Sequence, residues 1–194
     1  MDLFRKINLK VIHKKTYFNV NSQHVDEKIK FIKKYIKNNN KFVLIHPGCV
    51  SSESWRRWPI ERYLILAEMI AKDFRKNIIF IGGNDEKNLI YEINKNKNPM
   101  LTNAINKLTI GGCAALIKHS TLCIGNDSGI MHICGAMKTP VVNLIALLPP
   151  QRCKAWGTQN YIVTIKKTEY IKGKIDEISI EKVYNQVCLA LNKQ

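Results

Sequence analysis

Short apolar runs recur along the chain at 42–45, 78–81, 121–125, 141–145 and 161–165. Each is long enough for one buried strand and too short for a helix. Between them the apolar residues return at helical spacing. Pro59 stands where a helix begins, and Ile60, Leu64, Ala67, Ala71 and Phe74 follow on one face. Further helices are predicted over 85–96, 109–118, 129–137 and 181–191, the first of them polar. Continuous apolar strands alternating with helices mean a parallel sheet covered on both faces. The predicted fold class is therefore α/β, a Rossmann-like doubly wound parallel sheet. Ligands of such sheets bind beyond the carboxyl ends of the strands, which singles out the loops 46–58, 82–86, 125–129 and 146–157.

Ahead of the first strand the pattern differs. Residues 1–24 show no period, whereas Val25, Ile29, Ile32 and Ile36 recur at helical spacing over 25–38, with Lys28, Lys30, Lys33, Lys34 and Lys37 mostly on other faces. Two readings of this helix stand: a packed helix with a solvated basic face, or a helix lying on a membrane surface. The domain division expected is a basic segment with a helix over 1–41 and a Rossmann-like domain over 42–194. Eleven of the 31 Lys and Arg residues fall in 1–41 against three acids, about half of the formal net charge of +16. Such an excess suits anionic partners, although a chain rich in Lys, Asn and Ile throughout also reaches it by composition alone. No helix-turn-helix, zinc-finger or aromatic RNA-binding motif is present, so nucleic acid is not an expected partner.

With 45% hydrophobic residues in 194, the chain can build a core, and no apolar run is long enough to span a bilayer. Charged residues occupy the place where a signal peptide needs its apolar stretch, so the expected location is the cytoplasm, with contact at the inner membrane allowed. The six cysteines form no C-x-x-C pair and read as small buried hydrophobes in a reducing compartment. No metal or cofactor is expected.

Three loops carry candidate chemistry. In Gly125-Asn126-Asp127-Ser128-Gly129-Ile130-Met131-His132 a strand runs through a glycine-bracketed turn into a helix. Asp127 or Ser128 can cap that helix, and Gly129 lets a ligand approach the backbone. The exposed amides make a phosphate site, with His132 one turn in. The alternative is a capped helix with a satisfied histidine. In His46-Pro47-Gly48 and Trp55-Arg56-Arg57-Trp58-Pro59, two arginines are placed to neutralise a diphosphate, and the tryptophans either pack on the sheet or stack on a base. In Gly82-Gly83-Asn84-Asp85-Glu86 a carboxylate follows a strand-ending glycine pair, as a ribose ligand does. A helix with acids in its first turn fits the same residues.

Taken in order, His46-Pro47-Gly48, Arg56-Arg57-Trp58-Pro59, Gly82-Gly83 with Glu86, Gly125-Asn126-Asp127-Ser128-Gly129 with His132, and Thr139-Pro140-Val141-Val142 resemble the heptosyltransferases, glycosyltransferase family nine. The resemblance covers about residues 42–157. It implies a two-domain, double-Rossmann enzyme whose C-terminal half holds an ADP-heptose-type donor. The other half holds the lipopolysaccharide core acceptor and the catalytic base. By position it assigns Arg56 to the diphosphate, Glu86 to the ribose, Ser128, Gly129 and His132 to the phosphates, and Asp127 to sugar hydroxyls, with no catalytic residue in this chain. Two departures stand out: the family usually has lysine at the place of Arg56, and its Gly-Pro-Thr stretch is here Ala146-Leu147-Leu148. Residues 1–41 are too few for a second Rossmann domain. The resemblance therefore implies a donor-binding half, inactive alone or served by a separate chain carrying the acceptor domain. A non-catalytic nucleotide-binding module is the first alternative, and a basic nucleic-acid-binding protein is the second.

Overall fold

The computed structural model of the chain describes residues 16–36, 41–49, 51–145, 153–165 and 175–192. Helix α1 (Ser22–Tyr35) precedes strand β1 (Phe42–His46), and α2 (Ile60–Phe74), β2 (Asn77–Phe80) and α3 (Ile90–Lys95) follow. Then come β3 (Leu101–Asn103), α4 (Ile110–Ile117), β4 (Leu122–Asn126), α5 (Gly129–Met137), β5 (Val141–Ile145), β6 (Asn160–Thr164) and α6 (Ile180–Asn192). The strands form one sheet in the order β3-β2-β1-β4-β5-β6, and each neighbouring pair is parallel. This is the doubly wound order, whose direction of winding reverses between β1 and β4.

Alternate side chains of each strand serve opposite faces. Val43, Ile45, Ile78, Phe80, Leu122 and Ile124 enter one core with Tyr63, Leu66 and Ile70 of α2 and Val183 and Val187 of α6. Phe42, Leu44, Ile79 and Cys123 enter the other, with Phe31 of α1, Leu116 of α4 and Met131 of α5. The α/β class and parallel sheet read from the sequence are therefore those of the fold. All six cysteines are thiols, five of them buried.

The differences from the sequence reading have local causes. The helix expected over 85–96 is split into a 3-10 turn, Asn84–Leu89, and α3. The Glu86 carboxylate turns back to accept from the Gly83 N–H at 2.7 Å, which holds the tighter turn. Strand β3 was not anticipated, because Leu101-Thr102-Asn103 is a three-residue edge strand with one apolar side chain. Helix α1 starts three residues before Val25, capped by Asn21, whose side chain accepts from the His24 N–H at 3.0 Å. The altered 146–150 loop lies outside the described residues.

Candidate functional site

The end of β1 supplies the first wall. His46 is 5% exposed, and the loop after it runs through Gly48 and Cys49 to a 3-10 turn at Ser51–Arg56. That turn sends the two adjacent arginines apart. Arg56 donates to the Asp127 carboxylate at 2.6 Å and to the Asp127 carbonyl at 3.2 Å. Arg57 donates instead to the carbonyls of Cys49 at 2.7 Å and Asp85 at 3.0 Å, tying the loop after β1 to the loop after β2. Of the two arginines expected at a diphosphate, only Arg56 lines the cleft described below. Trp58 is in the core, with its indole N–H donating to the Ile178 carbonyl at 2.8 Å, whereas Trp55 is 60% exposed.

The loop after β2 brings Glu86 inward, to 3% exposure. A Cβ on Gly48 would lie 1.9 Å from Glu86 Oε1, and one on Gly82 would lie 2.8 Å from Oε2. Two glycines, one in the loop after β1 and one in the loop after β2, thus make room for one carboxylate. Burial pushes the Glu86 carboxyl above the usual carboxylate range, opposed by the Gly83 N–H and the Arg57 charge. His46 Nε2 stands 4.0 Å from Glu86 Oε1. Burial, aided by Arg57, lowers the His46 pKa to about 4, so at neutral pH this contact joins a neutral imidazole to a carboxylate and is not an ion pair.

The third wall is the turn from β4 into α5. Ser128 occupies the N-cap position, but its side chain makes no capping hydrogen bond. Its hydroxyl instead faces His46 Nδ1 at 3.2 Å. The first-turn amides of α5 are therefore left uncapped by that hydroxyl, and the helix dipole adds to their attraction for an anion. A Cβ on Gly129 would meet nothing within 4 Å. Beneath the turn, Asn126 is 1% exposed and joins three elements. Its carbonyl oxygen accepts from the Trp58 N–H at 3.1 Å and the Tyr63 hydroxyl at 3.0 Å, and its amide donates to the carbonyls of Pro47 at 3.0 Å and Gly48 at 3.3 Å.

These walls enclose a cleft of about 620 Å³, a volume that suits a small organic ligand. Arg56, Glu86, Asp127, Ser128, Gly129 and His132 all line it, and so does His46. It opens at the C-terminal ends of β1 and β4, where the sheet reverses its winding. Reasoning from sequence named the His46-Pro47-Gly48 run without giving His46 a place in the site. It also missed Asn126 as the brace, because an asparagine at a strand end reads as an ordinary loop residue. Among the described residues no group of three or more His, Cys, Asp or Glu is placed to hold a metal ion.

Comparison with known proteins places the sequence in a family and the fold among solved structures. The model of glycosyltransferase family 9 (heptosyltransferase) matches residues 2–183. Lipopolysaccharide heptosyltransferase 1 of Campylobacter coli is 31% identical over 184 residues, 84% of this chain and 52% of its own length. Lipooligosaccharide heptosyltransferase 2 of Campylobacter jejuni is 31% identical over 128 residues, 64% of this chain and 40% of its own. The chain thus spans about half the length of the curated relatives it matches. Among solved structures, the family 9 glycosyl transferase of Veillonella parvula superposes with a TM-score of 0.84 at 17% identity, over 100% of this chain and 59% of that one. The Escherichia coli heptosyltransferase WaaC with ADP superposes with a TM-score of 0.62 at 13% identity, over 83% of this chain and 47% of that one. At these identities the structures speak for the fold, and the family rests on the sequence match across nearly the whole chain. The chain belongs to glycosyltransferase family 9, the heptosyltransferases.

Proposed function

We propose that this chain is the donor-binding half of an ADP-heptose:lipopolysaccharide heptosyltransferase, and that the cleft at the β1–β4 switch point takes the nucleotide sugar. One observation carries the reading: a helix N-terminus not capped by its own serine shares a cleft with a guanidinium and a buried carboxylate. The amides at Gly129, with Ser128 and His132, bind the phosphates. Arg56 faces the diphosphate and keeps the charge of the lysine usual in the family. Glu86 accepts from the ribose hydroxyls, and Asp127, held by Arg56, accepts from hydroxyls of the sugar. The lipopolysaccharide core is the acceptor, presented by a second Rossmann unit that a separate chain can supply. The net charge of +16 favours peripheral contact with an anionic membrane, and among the described residues no helix is long and apolar enough to cross one.

Binding and transfer separate in this reading. Transfer needs a base within reach of the acceptor hydroxyl and an acceptor held against the anomeric carbon. Glu86 and Asp127 are already engaged, by the Gly83 N–H and by Arg56. The 194-residue polypeptide is therefore expected to bind ADP and an ADP-sugar weakly in calorimetry, and to transfer no sugar to deacylated lipopolysaccharide core. Transfer by this polypeptide alone would refute the second half. Heat-silent titrations up to millimolar ligand would refute the first. Saturable binding with no transfer, even after an acceptor-domain chain is supplied, would favour a non-catalytic nucleotide-binding module.

Gly129→Ala tests the helix end by itself. The added methyl meets open space, and alanine is the better helix former by up to about 1 kcal/mol. Thermal stability should stay level or rise slightly while ADP affinity falls about tenfold, near 1.4 kcal/mol, because the methyl stands where a phosphate must approach the backbone. An unchanged affinity would remove Gly129 from the site.

A further inference from the structure

A second concavity, of about 350 Å³, lies between α1 and the loop joining β3 to α4. Lys30, Lys34 and Lys107 line it around Tyr35. The Lys34 ammonium sits 5.2 Å from the Tyr35 ring centroid and the Lys107 ammonium 4.5 Å from it. Both are held by attraction to the same ring. Lys107 is fixed further by donating to the Asn103 carbonyl at 2.7 Å.

Glu27 is the single carboxylate in the lining, and it stands three residues before Lys30, where a helical ion pair is the ordinary outcome. It is used otherwise. Its two oxygens accept from the Thr109 N–H at 2.6 Å and the Thr109 hydroxyl at 2.5 Å, at the start of α4. It is also tightly seated, since a Cβ on Gly112 would lie 2.4 Å from Glu27 Oε2. Among the described residues, none of Lys30, Lys34 and Lys107 stands in an ion pair. Three ammonium groups thus share one concavity whose single acid is committed elsewhere, a formal surplus of two charges. Like charges so gathered repel, and a compact dianion relieves that repulsion.

We propose that this concavity is a second anion site, specific for a phosphate monoester and separate from the nucleotide cleft. Its size suits one phosphate with a sugar-sized substituent better than an extended polyanion. Leu108 lines it and Ile110 lines the nucleotide cleft, so the start of α4 divides two sites at the same edge of the sheet. The proposal does not depend on the donor reading, because nothing in it uses Arg56, Glu86 or the start of α5. A phosphate monoester can arrive on a soluble phosphorylated saccharide or on a phosphatidic acid headgroup.

Amide chemical shifts of the full 194-residue chain test this. Glucose 6-phosphate should move the amides of Lys34, Tyr35, Lys107 and Leu108 in a saturable, millimolar manner, while glucose moves none of them. Vesicles of phosphatidylcholine with and without phosphatidic acid form the second arm. The triple variant Lys30→Gln, Lys34→Gln, Lys107→Gln should weaken binding at least tenfold. The triple variant Lys33→Gln, Lys72→Gln, Lys95→Gln removes the same charge from exposed positions outside the concavity and should change it less than twofold. Broadening by phosphatidic acid vesicles without a response to glucose 6-phosphate assigns the site to a lipid headgroup. Equal weakening in both triple variants, shifts confined to Gly129 and His132, or no response in either arm overturns the proposal. A native-like amide spectrum of each variant before titration shows that folding is intact.

Discussion

Asn126→Ala is expected to lower the free energy of unfolding by about 4 kcal/mol, read as a reduced midpoint in urea with an unchanged slope. One side chain, 1% exposed, serves four partners: the Trp58 N–H, the Tyr63 hydroxyl and the carbonyls of Pro47 and Gly48. Stripping a partner from a buried polar group costs about 1–3 kcal/mol, and water entering the space left behind returns part of that. Four groups at the low end of the range give the figure. Tyr63→Phe removes one donor and leaves three contacts, so about 1 kcal/mol is expected there. The loss should not be confined to stability. The loop after β1 hangs from the Asn126 amide, and that loop carries Gly48, which makes room for Glu86. A variant that loses less than 1 kcal/mol would show that the loop and α2 hold their places without the asparagine.

The sheet was legible because its strands are nearly continuous in apolar residues. Phe42-Val43-Leu44-Ile45 cannot be written that way unless both faces are covered, and α1, α2, α4 and α5 cover them. Strand β3 was not legible, since Leu101-Thr102-Asn103 lies at the edge and its Asn103 side chain serves the turn by accepting from the Ile105 N–H at 2.9 Å. In the site, residues that follow strand ends could be named because chain direction alone delivers them to one edge. What their side chains do there was not in the pattern. Arg56 and Arg57 are the same residue type one position apart, and only the 3-10 turn decides that one meets Asp127 and the other two carbonyls. Ser128 was expected to compete with Asp127 for the cap of α5. The structure gives its hydroxyl to His46, 82 residues away, a pairing that follows from the parallel register of β1 with β4.

Stability should fall by about 3 kcal/mol between pH 6.5 and pH 4 through His46 alone. In the fold the imidazole titrates at about 4 rather than at 6.5, because burial, and after it the Arg57 charge, opposes a second positive charge there. Above pH 6.5 both folded and unfolded chains carry a neutral imidazole, and the group does not affect the balance. Between the two values the unfolded chain takes up a proton that the fold refuses, so each unit of acidification favours unfolding by about 1.4 kcal/mol. Below pH 4 both states are protonated and the loss stops growing. Glu86 works in the opposite direction, since its raised carboxyl lets the fold take up a proton before the unfolded chain does. The comparison therefore has to be made within one position. His46→Asn keeps a polar atom near the place of Nδ1, facing the Ser128 hydroxyl, and has nothing to titrate. Denaturant curves of wild type and variant at pH 7 and pH 4 should show the wild type losing about 3 kcal/mol more than the variant over that interval. Parallel losses would mean that His46 is protonated in the fold as readily as outside it. The neutral state also matters beside an anion. A charged His46 would draw Glu86 and Ser128 toward itself, whereas the neutral ring leaves Glu86 to the Gly83 N–H and exchanges only a hydrogen bond with Ser128.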